Sequence, residues 1–343
     1  MVRSLLLITG SGRSGTSSLA GSLEKLGLHI PGPVVPPGPI NPKGFFEPVW
    51  VVDFHRDLLR QALVRSSDGS PDAADRVHRH LADARAAERL RSWLAQHDAH
   101  EVVVVKDNQA CWFVPLWEQV SAEVGRELRM LTSLRHPAEV VGSRDRAWGA
   151  DRGAAEVRTR ETANVAAWLN VLLVTEGSGR ALTRGFVRFE DLITDWRTEL
   201  GRVSRQLGLG LALPSPDEPH ELDDWLDAEL RTALTWGDVD VPDALQSVAD
   251  AAWAASTSLL ADPGDPRALA ELDRCHRQYA QLYAEAAAIS VDERRYAKKL
   301  GARTASAKLR SRFRARIARL EEELRQAGHE TRVPGLRDLL RKR

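Results

Sequence analysis

The clearest candidate for chemistry in this sequence is a glycine-rich stretch near the N-terminus, residues 10–17, which reads GSGRSGTS. It lies between the apolar run SLLLIT and a segment with leucines at helical spacing, so the pattern predicts a strand, a loop and a helix. In such a loop, backbone N–H groups and the positive end of the helix converge on an anion. The predicted phosphate-binding residues are Gly12, Arg13, Ser14, Gly15, Thr16 and Ser17.

The spacing of this loop is that of a nucleotide-binding P-loop, with one departure. Thr16 stands where a P-loop has the lysine that holds the β- and γ-phosphates of a nucleoside triphosphate. A kinase or ATPase without this lysine loses its main charge contact, whereas backbone amides, hydroxyl groups and Arg13 are able to hold a different phosphate donor. A glycine-rich turn that only connects a strand to a helix is the structural alternative.

A second pair of candidate anion ligands follows the apolar run at residues 128–134. Arg135 comes directly after this run, and Ser143 lies eight positions further on, in the segment SLRHPAEVVGSRDR. An arginine at a strand end offers a bidentate fork to a phosphate, and a serine further along the following helix adds a hydroxyl donor. An ordinary surface ion pair for Arg135 is the plainer interpretation.

Taken together, LLITGSGRSGTSSLA and SLRHPAEVVGSRDR resemble the two donor-binding motifs of PAPS-dependent sulfotransferases, where PAPS is 3′-phosphoadenosine 5′-phosphosulfate. The resemblance implies that residues 10–17 hold the 5′-phosphosulfate of PAPS. It also implies that Arg135 and Ser143 bind the 3′-phosphate of PAPS.

Two further segments extend the likeness to about residues 4–210. The segment NPKGFFE, residues 41–47, resembles the acceptor side of bacterial sulfotransferases, and FEDL, residues 189–192, resembles a later strand-and-helix unit of the family. The GxxGxxK signature of the animal cytosolic branch is absent, so a bacterial or carbohydrate-type branch is the better match. The resemblance implies transfer of a sulfuryl group to a hydroxyl of a small acceptor, such as a glycan, glycolipid or natural product, without a metal ion.

Sulfuryl transfer to a hydroxyl needs a base for the hydroxyl proton and positive charge beside the reacting oxygens. Glu47 and His55 are the candidate bases, since both follow the proline-rich stretch near the phosphate loop. Members of the family use either a carboxylate or a histidine, so both stay open, and we favour Glu47 because it belongs to the matched segment. Arg13, Lys43 and Lys106 are the candidates for positive charge.

Lys106 and Asp107 directly follow the strongest strand signal, residues 102–105, and ligands bind at strand carboxyl ends in open α/β sheets. This pair supports an alternative function as a small-molecule P-loop kinase, in which Asp107 and Ser17 would hold a magnesium ion. The missing P-loop lysine weighs against it. A non-catalytic nucleotide-binding or scaffold protein on the same fold is a further alternative.

Strand-like apolar runs alternate with segments of helical periodicity along the chain; the runs are residues 4–9, 102–105, 128–134 and 186–189. This alternation predicts an α/β fold with a central parallel sheet flanked by helices, as in the P-loop NTPase-like fold of sulfotransferases. A long amphipathic helix is predicted over residues 74–96. Residues 211–290 look mostly helical without a placeable pattern.

From Tyr296 onward the chain holds 15 Lys and Arg against 5 Asp and Glu, with apolar residues at three- or four-residue steps. This pattern predicts a basic amphipathic C-terminal extension over residues 291–343, beside a sulfotransferase domain over residues 1–290. A solvated terminal helix is the plainest interpretation. A homodimer through a short coiled coil, or contact with an anionic surface, are the others.

Bulk composition excludes several other classes of protein. Lys and Arg balance Asp and Glu at 48 each, so general affinity for nucleic acid is not expected. Two cysteines, Cys111 and Cys275, form no short-spaced ligand pattern, which argues against disulfides or zinc and fits a cytoplasmic protein. The first apolar run is too short for a signal sequence or a membrane span, so a soluble, unprocessed chain is expected.

Overall fold

The computed structural model describes residues 3–81, 84–148, 153–226 and 233–326. Its centre is a sheet of four parallel strands in the order β2-β1-β3-β4, which confirms the predicted α/β class. The strands are β1 (Ser4–Thr9), β2 (Val102–Lys106), β3 (Glu127–Leu134) and β4 (Thr183–Arg188). β1 and β2 are nearly continuous apolar runs, as expected for parallel strands whose two faces are both covered by helices.

Helices follow and separate the strands. Those between β1 and β4 are α1 (Thr16–Lys25), α2 (Val49–Ala62), α3 (Ala73–His80), α4 (Ala84–Leu94), α5 (Val114–Glu123), α6 (Pro137–Trp148) and α7 (Ala154–Ser178). Those after β4 are α8 (Phe189–Thr194), α9 (Trp196–Leu207), α10 (Glu221–Trp225), α11 (Asp243–Ser258), α12 (Pro266–Ile289) and α13 (Val291–Gln326).

The order of the strands fixes where a ligand can bind. From β1 the chain runs to β2 on one side of the sheet and then to β3 on the other, so the direction of winding changes between β1 and β3. The loops that leave the carboxyl ends of two such strands diverge and open a crevice. The glycine-rich loop follows β1 and Arg135 follows β3, so the fold brings the two predicted donor motifs to this crevice.

Successive residues of β1 point to opposite faces of the sheet and belong to two different hydrophobic clusters. Leu5 and Leu7 pack on one side of the sheet with residues of α2, α4 and α5, whereas Leu6 and Ile8 pack on the other with residues of α1 and α9. A third cluster joins α6, α7, α11 and α12. This cluster gives a structural place to part of the segment that the sequence left unassigned.

Two predicted elements differ in detail from the structure. The long helix predicted over residues 74–96 is two helices, α3 and α4, with residues 82–83 outside the described ranges. Both helices bury apolar side chains at helical spacing, which made them look like one. The strand predicted to reach residue 189 ends at Arg188. Phe189 begins α8, and its ring packs against Gly15 of the glycine-rich loop.

The chain divides into two units, residues 1–283 and 284–343. The predicted boundary at residue 290 stays a prediction. Within the second unit, α13 is a helix of 36 residues whose side chains Leu309 and Phe313 are exposed. The part of the extension at residues 327–343 lies outside the described residues. No helix in the described ranges is long and apolar enough to cross a membrane.

The buried hydroxyl of Tyr279 on α12 gives a stability test of this packing. It donates to the backbone carbonyls of Gly69 and Ala166, the latter at 3.1 Å, so it ties α12 to α7 and to the segment after α2. Tyr279→Phe leaves these two carbonyls without that donor and should lower the free energy of unfolding by about 1–3 kcal/mol. Chemical denaturation measures this change.

Tyr283→Phe is the matched control, since it removes the same hydroxyl from a partly buried tyrosine one turn later on α12. It should change the free energy of unfolding by less than about 0.5 kcal/mol. Equal effects of the two variants would contradict the structural role of the Tyr279 hydroxyl.

Candidate active site

The glycine-rich loop leaves β1 in a conformation that needs glycine at two positions. Gly10 has a φ of 138°, and a Cβ there would lie 2.6 Å from the carbonyl oxygen of Ser133 on β3. Gly15 has a φ of 87°, and a Cβ there would lie 2.1 Å from the ring of Phe189. The loop is therefore packed tightly between β3 and α8.

The start of α1 offers backbone donors to an anion. Gly15 is the residue that precedes the helix, and no side chain in the described ranges caps its first turn. The first N–H groups of a helix have no partner within the helix, so a bound anion is a natural acceptor for them. Ser14, one residue earlier, is buried and its carbonyl accepts a hydrogen bond of 2.6 Å from the Ser133 hydroxyl.

The two predicted donor motifs meet in the structure. Arg13 has a φ of 75°, and its Nε donates to the hydroxyl of Ser143 at 3.0 Å. Arg135 donates from Nη1 to the carbonyl oxygen of Arg13 at 3.3 Å and from Nε to Glu139 at 2.9 Å. The Arg135 guanidinium also lies 4.7 Å from the centre of the Phe189 ring. The loop after β1 and the helix after β3 thus form one continuous cationic surface.

A cavity of about 720 Å³ opens along this surface. Its lining includes nearly all the residues that the sequence singled out, and those that line it are Gly12, Arg13, Gly15, Thr16, Ser17, Lys43, Glu47, Lys106, Asp107, Arg135 and Ser143. Ser14 and His55 are not among the residues that line it.

A buried ion pair lies at the junction of the loop and the acceptor-side segment. Lys106, the last residue of β2, is 1% exposed, and its ammonium group donates to the carboxylate of Glu47 and, at 3.3 Å, to the hydroxyl of Ser17. Burial raises the pKa of Glu47 and the nearby Asp107 carboxylate raises it further, whereas Lys106 opposes the rise. A carboxylate with a raised pKa is a stronger base than an ordinary one.

His55 lies in the protein interior beside this pair. Its Nδ1 is 2.6 Å from a carboxylate oxygen of Asp107, and the indole N–H of Trp117 donates to its Nε2 at 3.0 Å. Because an indole nitrogen only donates, Nε2 is the acceptor and Nδ1 carries the proton that is donated to Asp107. Both ring nitrogens are therefore engaged, and the ring stacks on Phe113 with centroids 4.4 Å apart.

Asp107 is likewise held on both sides. One of its oxygens faces His55 and the other accepts a hydrogen bond of 3.1 Å from the backbone N–H of Gln109. Within the described ranges, no group of three or more His, Cys, Asp and Glu side chains is arranged to hold a metal ion.

Residues 41–47 are held in place by a side-chain hydrogen bond of Lys43 and by aromatic packing of Phe46. Lys43 donates to the carbonyl of Trp225 at 2.6 Å, and the ring of Phe46 meets the ring of Trp225 edge-on with centroids 5.9 Å apart. Gly21 of α1 lies under both rings, since a Cβ there would be 2.5 Å from Trp225 and 2.7 Å from Phe46. Lys43 thus lines the cavity at a point where its charge already has a backbone partner.

Sequence reasoning missed several residues of the cavity, among them Asn108, Arg144 and Arg160. Asn108 accepts a hydrogen bond of 3.1 Å from the hydroxyl of Thr16, which gives the residue in the place of the P-loop lysine a defined partner. Arg144 is buried behind the loop, and Arg160 reaches the cavity from α7. Arg144 follows Ser143 directly, so its place in the matched segment was a usable signal, but no spacing pattern marks Asn108 or Arg160.

A second cavity, of about 280 Å³, borders Arg135 on another side. Its lining includes His136, Arg188, Trp236 and Trp253, and the His136 ring lies 5.3 Å from Trp236 and 5.6 Å from Trp253 between centroids. This cavity combines flat aromatic surfaces with two guanidinium groups.

Comparison with known proteins gives structural likeness at low sequence identity. The sequence matches no protein-family model and no curated protein. The structure matches the sulfotransferase domain from the Synechococcus PCC 7002 olefin synthase with 16% identity and a TM-score of 0.41, covering 82% of this chain and 94% of that chain. It also matches the sulfotransferase domain from the curacin biosynthetic pathway with 15% identity and a TM-score of 0.36, covering 68% of this chain and 82% of that chain.

Proposed function

We propose that this protein transfers a sulfuryl group from PAPS to a hydroxyl group of a small acceptor. The observation that carries the proposal is the position of the Lys106 ammonium, which contacts both Ser17 in the first turn of α1 and the carboxylate of Glu47. A donor group held by the loop would lie beside a buried base and a buried cation. These are the two requirements of sulfuryl transfer to a hydroxyl.

The donor motifs support a nucleotide that carries phosphate at both ends of its ribose. The uncapped first turn of α1 and the hydroxyl of Ser17 suit the 5′-phosphosulfate of PAPS. Arg13, which contacts both Ser143 and Arg135, suits the 3′-phosphate together with them, since a guanidinium binds phosphate through a bidentate fork. The aromatic rings of the second cavity, next to Arg135, suit a purine base.

In the proposed reaction, Glu47 removes the proton of the acceptor hydroxyl while the oxygen of that hydroxyl attacks the sulfur atom of PAPS. The bond from sulfur to the bridging phosphate oxygen breaks, and its electron pair leaves with 3′-phosphoadenosine 5′-phosphate. Lys106 provides a fixed positive charge next to the oxygens that gain negative charge. Asp107, which pairs with His55, helps to raise the pKa of Glu47 through its negative charge.

Donor preference is the first test. At 100 times its dissociation constant, 3′-phosphoadenosine 5′-phosphate should stabilise the protein by about 2.7 kcal/mol and raise the melting temperature. ATP with magnesium at the same concentration should have little effect, because it lacks the 3′-phosphate and Thr16 replaces the P-loop lysine. Equal stabilisation by ATP and magnesium would favour the kinase alternative.

The role of Arg135 is tested by its replacement. Arg135→Ala should weaken binding of 3′-phosphoadenosine 5′-phosphate by about 1.5–3 kcal/mol, the range for hydrogen bonds to a charged group. Isothermal titration calorimetry measures this loss. Arg91→Ala, which removes an exposed arginine paired with Glu123 on the protein surface, serves as the control and should leave the affinity unchanged. Unchanged affinity in Arg135→Ala would contradict the assignment.

The base is tested by Glu47→Gln, which keeps the size and loses the negative charge. The substitution should lower kcat by about 10²–10⁴ while the affinity for 3′-phosphoadenosine 5′-phosphate stays within a few fold.

In the wild-type protein, kcat/KM should fall as the pH drops through the raised pKa of Glu47, which lies above the ordinary value of 4.5, since the base must be unprotonated. Steady-state rates with PAPS across pH measure both effects.

Asp57→Asn, an exposed carboxylate on α2 that pairs with Arg60, is the control for charge loss and should keep full activity. His55→Asn should lower stability, because it removes the partner of a buried Asp107 and of the Trp117 indole. A Glu47→Gln protein with near-full kcat, together with a folded but inactive His55→Asn protein, would instead assign the base to His55.

A further inference from the structure

The wall of the larger cavity formed by α2, α6 and α7 is rich in positive charge. Arg56, Arg144 and Arg160 line this wall, and Asp145 is the acidic side chain among the described residues that line it there. Arg56 and Arg160 lie outside the two donor motifs, whereas Arg144 directly follows Ser143 in the second one.

Arg144 is a buried cation whose hydrogen bonds all go to neutral oxygens. It donates to Asn164 at 3.2 Å, to the hydroxyl of Ser11 at 3.1 Å and to the hydroxyl of Ser67 at 3.3 Å, with a longer contact of 3.5 Å to the carbonyl of Gly12. Burial and the charge of Arg13 lower the pKa of Arg144 to about 10, so it stays charged near neutral pH. A buried charge is costly unless it is paired, and in the described structure no carboxylate forms an ion pair with it.

Arg160 adds a second donor group next to Arg144. Its Nε donates to Asp145 at 2.9 Å, whereas its Nη1 is buried and has no hydrogen-bond partner among the described residues. Arg160 and Asn164 are four residues apart on α7, so they lie on the same face of that helix. Since the side-chain oxygen of Asn164 accepts a hydrogen bond from Arg144, Arg144 and Arg160 reach the cavity beside the same turn of α7.

Arg160 and Arg56 line the cavity outside the donor motifs, whereas Arg144 contacts Ser11 and Gly12 of the glycine-rich loop. The positions proposed for the two ends of the donor are already provided by the loop and by Arg13, Ser143 and Arg135. Arg160 belongs to α7, outside both donor motifs, and Arg56 lies on α2, which directly follows the segment that holds Glu47. Arginine is suited to carboxylate, phosphate and sulfate groups because its planar fork matches paired oxygens.

We propose that the acceptor carries an anionic group, a carboxylate, phosphate or sulfate ester, which Arg160 and Arg144 bind while the acceptor hydroxyl faces Glu47. This inference rests on the proposed function and narrows its substrate class to hydroxyl compounds that are themselves anions.

The test uses inorganic sulfate as the probe on protein saturated with 3′-phosphoadenosine 5′-phosphate, so that the donor phosphate positions are filled. Melting temperature is measured against sulfate concentration at constant ionic strength adjusted with sodium chloride. Wild-type protein should show a saturable rise. Arg160→Gln should weaken the apparent sulfate affinity at least about tenfold and should keep its affinity for 3′-phosphoadenosine 5′-phosphate.

Arg158→Gln is the matched control, since it makes the same change of charge on the same helix at an exposed arginine that pairs with Asp240. It should keep the sulfate response, and any general salting effect of sulfate is shared by all the variants. Arg160→Lys keeps the positive charge and loses the bidentate guanidinium, so it should weaken sulfate binding less than Arg160→Gln. It serves as a second variant for the same measurement if Arg160→Gln folds poorly.

The outcomes separate the two proposals. If 3′-phosphoadenosine 5′-phosphate does not bind, the proposed function is wrong. If it binds but sulfate gives no saturable rise, or if the rise survives in both Arg160 variants, the sulfate occupies no site built by Arg160 and the acceptor inference is overturned while the proposed function stands.

Discussion

The buried ion pair between Lys106 and Glu47 is the interaction on which the site depends. It joins the end of β2 to a loop segment 59 residues away, and the lysine is only 1% exposed. Removing one partner of such a pair leaves an uncompensated charge, which costs about 3–5 kcal/mol, although a matched apolar pair is often as stable. The pair is therefore better explained by chemistry at the cavity than by stability.

The surroundings of this pair adjust its electrostatics. Asp107 places a second carboxylate next to Glu47, and two interior donors, the His55 ring and the Gln109 amide, hold Asp107 in position. The Ser17 hydroxyl connects Lys106 to the phosphate loop. A carboxylate, an ammonium group and the first turn of α1 are thus brought within hydrogen-bonding reach of one another by three different parts of the chain.

Much of this was readable from the sequence, because it depends on local patterns. The apolar runs predicted the strands, and the glycines at positions 10 and 15 predicted a loop that the structure shows pressed against Ser133 and Phe189. The pairing of Lys106 with Glu47 was not readable, since a contact between distant segments leaves no periodic trace. The sequence could not show that both ring nitrogens of His55 face the interior, and Arg160 gave no signal because isolated arginines on helices usually face solvent.

Gly21, in the middle of α1, has a consequence for the adaptability of the protein. Glycine inside a helix costs about 0.5–1 kcal/mol relative to alanine, yet even a methyl group there would collide with both Trp225 and Phe46. The helix that presents the phosphate loop is thereby pressed against the segment that carries Glu47. A larger or smaller side chain at residue 46 would therefore shift the glycine-rich loop as well. Under the proposed function, the acceptor range should be easier to change through the arginines on α7 than through this contact.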